Sequence, residues 1–535
     1  MNVYYLFDPT EQQRLNSTGE DYSPVYLKAL AIYLGITALP IAPCELNRIN
    51  EEDLLIVGAS KLSHLPDCKL LLLGTSLKED SPIPQRVRRV FAAYETAKGE
   101  RLPLFVPLCA PVTDGEILAY AYTEDGEKHP ALLKTGETVY EFCFDLAASV
   151  WFSEDGFLPD TPSDYFFIHR TPDTRPLEHA KNTQAFNDLL LAEIETILSR
   201  WQIPLIARQM PCENGDLPDL VFHFSGDDDC SSLQYNLEAA KTMQELGLPY
   251  HINAMPKRGE AFVMKKEEFD EVASHGCEIA LHTDFTDGVV YGTESVKAQV
   301  TLFEKTFGKH PVTNTNHCFI QGGTTAERMR FFHENGIIAD NGKMGEFDPA
   351  DINAFDLCGF GFGTAFPRYT CDDAAHGNTL IPSLEIPIPY YEPRLREDPT
   401  KIVEYLEGGV KYGRILQFFI HPHYLAHRSS QRPLVLNALH LMQTHIREKG
   451  YRVLYTTTNE IARFWHSRAD AQVTPTQNGY RIRTDTPIFL KIADCGQAFT
   501  LDGKEITAIR HSKSSPGSLF LLISKGTHVL SEANP

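Results

Sequence analysis

Five apolar runs in the second half of the chain end in residues that bind metals or move protons. They are LVFHFSGDDD (220–229), CEIALHTD (277–284), PVTNTNHC (311–318), NGIIADN (335–341) and RILQFFIHPH (414–423). Stretches with helical apolar spacing lie between and after these runs, and helices are predicted over 232–247, 265–276, 294–308, 325–336, 398–413 and 432–450. Strand alternating with helix predicts a parallel sheet. Parallel strands point the same way, so their C-terminal ends meet on one face, and in a barrel the loops at that face hold the active site. The pattern therefore predicts an α/β chain with a (β/α) barrel over 216–468. An enzyme is the first hypothesis. The segment 342–380 breaks the rhythm. With Gly359-Phe360-Gly361-Phe362-Gly363 it reads as a long loop over the active face.

The flanking regions read differently. VYYLFD (3–8), DLLIVGA (53–59), KLLLLGT (69–75), LPLFVPL (102–108), EILAYAYT (116–123) and TVYEFCFDL (138–146) predict strands, and YLKALAIYLG (26–35) predicts a helix closed by glycine. Between Glu116 and Asp145, turns at Asp125-Gly126 and Gly136 separate three strands. Residues 1–160 thus form an expected Rossmann-like α/β domain. It resembles glutamine-amidotransferase-like or flavodoxin-like domains in pattern. No G-x-C-x-G nucleophile elbow is present, and Gly74-Thr75-Ser76 is a short phosphate-turn signal, so a noncatalytic role is expected. Residues 161–215 read as a linker. In it 176–201 predicts an amphipathic packing helix, with Phe186, Leu189, Leu190, Ile194 and Ile197 on one face. From 469 to 535, GYRIRTD, IFLKIAD, SLFLLIS and THVLSE alternate with turns and predict a small β-sandwich-like domain.

Composition narrows the partners. A length of 535 residues predicts two to four domains. The net charge of -22 argues against nucleic acid as a partner and against an anionic membrane surface. The start lacks a basic segment followed by an apolar one, and no apolar run is long enough to cross a bilayer. The expectation is a cytoplasmic protein. Eleven cysteines without a CxxC pair predict reduced thiols rather than a disulfide framework.

Asp227, Asp228 and Asp229 follow a buried strand. Three adjacent carboxylates repel unless a cation sits among them or one stays protonated. His282 ends the next apolar run with Thr283 and Asp284 beside it, either of which is suited to fix the ring tautomer of a metal-bound histidine. His317 holds the matching position in the following run. An Asp with two His and a free position is a common open divalent site. Strand alternation should turn Cys318 away. His421 and His423 share a face if the strand continues. One suits a general acid near neutral pH, the other a ligand or a packing residue. His251, His310, His333 and His440 read as ordinary surface or packing residues.

These landmarks resemble the NodB-homology polysaccharide deacetylases, the fourth carbohydrate esterase family, in a divergent branch. The family's T-F-D-D-G motif is matched by Ser225-Gly226-Asp227-Asp228-Asp229, the start of its H-S/T-x-x-H motif by His282-Thr283, and its strand-terminal histidine by His421. The resemblance covers about half the chain. It implies a distorted, seven-stranded deacetylase-like barrel, Asp227 as catalytic base, His421 as catalytic acid, and Asp228 as a metal ligand with His282. Thr286 stands where the second motif histidine is expected, and Thr313-Asn314-Thr315-Asn316-His317 replaces the arginine-proline motif, so His317 is the inferred third ligand. Asp229, Thr286, Asp340 and His423 are accessory candidates. The implied cofactor is a divalent metal, zinc with cobalt or nickel as alternatives. The implied reaction removes an N-acetyl group from a carbohydrate or small glycoside. A noncatalytic carbohydrate-binding or scaffold protein on a degenerate barrel, and an amidohydrolase acting on another C–N bond, are the alternatives.

Overall fold

Two nine-stranded sheets organise the chain in a computed structural model that describes residues 1–60, 62, 64–75, 90–156, 184–229, 231–286, 288–320, 323–344, 359–395, 398–510 and 512–533. In the first sheet, Ala38–Ile41, Val3–Leu6, Leu54–Val57, Lys69–Leu73 and Val139–Phe142 lie side by side and parallel. Lys128–Thr135, Glu116–Thr123, Ala92–Glu95 and Arg101–Leu104 extend it antiparallel. LLIV and LLLL in the central strands are buried at every position, as expected where both faces are covered. The helix Val25–Leu34 ends at Gly35, whose φ of 76° is left-handed. A Cβ there would meet the Ile206 carbonyl oxygen at 2.1 Å, so glycine is required by approach as well as conformation.

The second sheet contains eight strands running in one direction. In chain order they are Leu220–Asp227, Tyr250–Ala254, Cys277–Thr283, Thr313–Asn316, Ala339–Met344, Leu380–Ile388, Ile415–Phe419 and Val453–Thr456. The first is flanked by the second and seventh, with the eighth also pairing along its start. The second to sixth follow one another in chain order and in parallel register. Arg368–Cys371 adds an antiparallel edge to the sixth. The sheet curls strongly. Ser225 on the first strand donates to Asn341 on the fifth at 3.3 Å, and Gln417 on the seventh reaches both, at 2.6 and 2.7 Å. Tyr391, beyond the sixth strand, bridges Phe419 of the seventh.

Alternation along the first strand explains its two faces. Phe222 and Phe224 pack outward with Phe418 in the apolar layer under the helices. His223, Ser225 and Asp227 take the inner, polar side. The predicted helices form as Leu233–Glu245, Lys266–Ser274, Thr293–Phe307, Thr325–Glu334, Thr400–Tyr412 and Arg432–Lys449.

Several expectations are corrected. The 342–380 segment is not one loop: Arg368–Cys371 is a strand, and the sixth strand begins at Leu380, while 345–358 lie outside the described residues. The helix expected from 176 is seen over Phe186–Arg200, with 176–183 outside the described residues, and all five named apolar positions are buried. The linker also contributes a strand, Leu205–Ile206, which pairs with Ile488–Ala493. That strand and Ser518–Ile523 make a three-stranded antiparallel sheet, and Gln472–Thr476 through Gly526–Glu532 supply a five-stranded one. Helices Pro9–Thr18, Leu146–Asp155 and Thr458–Asp470 were not anticipated.

One apolar core runs from Tyr33 and Trp151 beside the first sheet through Leu190 and Phe366 to Trp465 and Leu490. Within it the buried Arg468 side chain donates to four carbonyl oxygens: Ala207 at 2.9 Å, Ile32 at 2.8 Å, Tyr33 at 3.0 Å and Ile206 at 2.8 Å. The described cysteines are free thiols. No described helix is long and apolar enough to cross a membrane.

Candidate metal centre

The site lies at the C-terminal ends of the parallel strands. Gly226 permits it: a Cβ there would meet the Ile420 carbonyl oxygen at 1.8 Å, so only glycine lets the first strand pass the end of the seventh. The strand then delivers Asp227, and Asp229 follows with a left-handed φ of 42°. Such a conformation is costly for a non-glycine residue and is common at functional sites. Cys318, Phe319 and Glu392 share this strain around the same mouth, with φ of 53°, 55° and 51°.

Asp229, His282 and His317 bring one donor atom each into a group whose members all lie within 4.8 Å of one another. His282 Nε2 is 3.4 Å from Asp229 Oδ1, and His317 Nε2 is 3.8 Å from the same oxygen. His282 is fully buried. Its Nδ1–H donates to the Thr315 carbonyl oxygen at 2.8 Å, so Nε2 carries the lone pair. That Nε2 has no hydrogen-bond partner. A buried, orphaned imidazole nitrogen beside a carboxylate and a second imidazole fits a divalent cation.

His317 Nδ1 is 3.3 Å from Asp284 Oδ1, an oxygen that also accepts the Thr286 N–H at 2.9 Å and hydroxyl at 2.6 Å. Burial opposes charge on His317, but hydrogen bonds to Asp284 and Cys318 raise it to about 10. A cation held at Nε2 would compete with that proton, so its binding would release protons. Burial also opposes ionisation of Asp284, yet its bonds to His317, Thr286 and Arg258 hold its carboxyl below the usual range.

Asp227, Asp229 and His421 form a second, overlapping group. Asp227 Oδ2 lies 3.4 Å from His282 Nε2, and its Oδ1 accepts the Asn253 side-chain N–H at 2.8 Å. Burial raises Asp227 above an ordinary aspartate. His421 Nε2 is 3.1 Å from Asp229 Oδ2, and its Nδ1 pairs with the fully buried Glu392. Glu392 also accepts the His421 backbone N–H at 3.0 Å. Burial disfavours charging His421, but Tyr391, Asp229 and Glu392 raise it well above an ordinary histidine.

Several expected residues sit elsewhere. Asp228 is not in either group: its Oδ1 accepts the Met255 N–H at 3.0 Å. The strand ends at Asp227 and the backbone turns at Asp229, so the carboxylate of Asp228 is directed to the Met255 backbone while Asp229 turns toward the histidines. Thr283 and Asp284 do not fix the His282 tautomer, which the Thr315 carbonyl does; Asp284 serves His317 instead. Cys318 is not turned clear of the site: its thiol is among the neighbours that raise His317. Thr286 supports Asp284. Asp340 lies on the opposite face of its strand from Asn341. It accepts from Asn314 at 3.0 Å and approaches Arg328 at 3.4 Å, in a buried ion cluster with Glu385, Lys343 and Arg368. His423 does not continue a strand with His421, because Pro422–Leu425 is a short helix. Its ring lies 5.5 Å from that of His421, and burial followed by the His421 charge lowers it to about 4. Asn253 and Glu392 were missed. Each sits at or just past the end of a buried strand, the same signal that identified the histidines.

No family model and no curated protein matches the sequence. Among solved structures, the chain is similar to a protein of Mycobacterium smegmatis provisionally described as a polysaccharide deacetylase, with 16% identity, a TM-score of 0.34, and 51% of this chain and 99% of that chain covered. It is also similar to the peptidoglycan deacetylase PdaC of Bacillus subtilis, with 11% identity, a TM-score of 0.25, and coverage of 46% and 90%. A family 4 carbohydrate esterase of Bacillus anthracis shows 11% identity, a TM-score of 0.24, and coverage of 46% and 82%. All three similarities are distant, with TM-scores below 0.5.

Proposed function

We propose that this protein is a metal-dependent hydrolase that removes an N-acetyl group from a carbohydrate. The observation that carries this is the Asp229, His282 and His317 group standing beside a buried carboxylate, Asp227, and a carboxylate-paired histidine, His421. Asp229, His282 and His317 would hold the cation, with Asp229 replacing Asp228 in the ligand role. Two imidazoles and a carboxylate suit zinc, with cobalt or nickel as substitutes. When bound, the cation polarises the acyl carbonyl and acidifies water.

The chain's own residues divide the proton work. Asp227 takes a proton from the attacking water, and its burial-raised affinity for protons suits a base. Asn253 keeps one of its oxygens engaged, leaving Oδ2 for the reaction. His421, oriented by Glu392, donates to the leaving amine nitrogen. The curled second sheet, with its eight parallel strands, serves as the catalytic barrel over about 216–468, and the first sheet and the C-terminal strands, joined to each other by the shared apolar core, are noncatalytic.

The test is release of acetate and free amine from N-acetylhexosamine oligomers and small glycosides with added zinc, cobalt or nickel. Asp227→Asn should lower turnover by about two orders of magnitude while keeping the metal. Metal-replete protein that binds sugars but releases no acetate would reject the deacetylase reading in favour of a noncatalytic one. Release of another acid would keep the mechanism and change the acyl group.

A further inference from the structure

We infer that His251, a residue with no contact to the metal group, positions the catalytic base through Asn253. This rests on Asp227 being that base. His251 and Asn253 alternate onto the inner face of the second strand, while Tyr250, Ile252 and Ala254 join the outer apolar layer. Both polar side chains are 1% exposed. Parallel register sets Asn253 opposite Asp227 on the first strand, and His251 opposite Glu278 on the third.

The hydrogen bonds fix where the proton between Asn253 and His251 lies. An ionised Asp227 offers acceptors alone, so the Asn253 amide nitrogen must face it, as it does at 2.8 Å. The amide oxygen then faces His251 Nε2 at 3.0 Å, and that nitrogen must carry the proton. His251 Nδ1 is left toward Glu278 Oε2, 3.7 Å away. Glu278 in turn lies 3.6 Å from Arg463 on the last helix of the second sheet. If the Asn253 amide turned over, its oxygen would meet the Asp227 carboxylate and its nitrogen would meet the His251 N–H. Both contacts repel. His251 is therefore a lock on the amide: it keeps a donor on Asp227 Oδ1 and fixes which oxygen is free.

Three measurements test this. His251→Phe removes the donor, and His251→Gln keeps an N–H close to the Nε2 position. His251→Phe should lower kcat by about five- to tenfold, the scale of one neutral hydrogen bond, with KM and metal stoichiometry unchanged. His251→Gln should stay within about twofold of wild type, because the donor is retained. Equal kcat in His251→Phe and wild type overturns the inference. Two readouts need no turnover. In 15N NMR of histidine-labelled wild-type protein, the His251 ring should be protonated at Nε2, and a ring protonated only at Nδ1 overturns it. In a crystal structure of His251→Phe, the Asn253 to Asp227 hydrogen bond should be lengthened or the amide reversed, and an unchanged geometry overturns it. A wild-type protein that releases no acetate rejects the deacetylase reading, and the tautomer and the variant structure then decide the positioning role alone.

Discussion

Asp284→Asn probes the proposed metal centre without touching a proposed ligand. Asp284 is 2% exposed, and one oxygen gathers the His317 ring, the Thr286 N–H and the Thr286 hydroxyl. Its other oxygen accepts the Arg258 N–H at 2.8 Å. The amide keeps the size and one acceptor, so the fold should persist, but the negative charge that holds the His317 ring in place is lost. Outer-sphere partners of metal-bound histidine are worth about 10–100-fold in affinity, or about 1.4–2.8 kcal/mol. The substitution retains a weaker acceptor, so the lower end, about tenfold, is expected; Asp284→Ala should reach the upper end. The assay is calorimetric titration of zinc into chelator-stripped protein, with thermal melting of each stripped variant to verify folding. Zinc affinity equal to wild type in a folded Asp284→Ala variant would refute the reasoning and remove His317 from the metal centre.

Three further outcomes are expected. Asp229→Asn should abolish stoichiometric zinc binding while Asp228→Asn retains it, measured by elemental analysis after dialysis; the reverse pattern would restore the ligand role to Asp228. Glu392→Gln should lower kcat by about 10–100-fold, since a hydrogen bond to a charged group is worth about 1.5–3 kcal/mol; steady-state kinetics with unchanged kcat would separate Glu392 from catalysis. The third concerns Asp145, the cap of Leu146–Asp155, which accepts the Ala148 N–H at 2.9 Å. Burial raises its carboxyl from 3.8 to about 7, so the folded chain binds the extra proton between those values. That contribution to stability is complete below the unfolded value and is lost as pH rises through about 7. Asp145→Asn keeps an acceptor and cannot ionise, so its denaturation midpoint should gain on wild type as pH rises from about 4 to about 7; parallel midpoints would contradict the raised carboxyl.

The sequence was most legible where apolar periodicity and polar strand ends coincided. The runs at 220–229, 277–284 and 414–423 disclosed Asp227, His282 and His421, because a buried strand leaves few places for a polar side chain except its mouth. The order of ligands within Asp227-Asp228-Asp229 was not legible. It depends on how the backbone turns after the strand ends at Asp227, where Asp229 takes a left-handed φ, and a family motif of two aspartates gives no phase for three. Tyr250–Ala254 and Leu380–Ile388 were the strands passed over as site-bearing, and they lead to Asn253 and Glu392. YHINA carries polar residues on an inward face, which hides a strand from a search for apolar runs. Leu380–Ile388 contains two prolines and follows an irregular stretch, which masks its continuity. The helix Thr458–Asp470 was lost for a related reason: its buried Thr458, Asn459 and Arg468 look like surface residues.

Arg468 gives the chain a different kind of unity. Its guanidinium ties together carbonyls from the end of Val25–Leu34, from Leu205–Ile206 and from Ala207, while itself belonging to the helix after the second sheet. Segments separated by more than four hundred positions thus share one cation that no solvent can replace without exposing it. Local opening at any of them strands a buried charge and several carbonyls at once, so the opening events are coupled. Proteolytic nicking at the seams should therefore leave fragments that stay associated, and melting should be a single cooperative transition rather than a succession of domains coming apart.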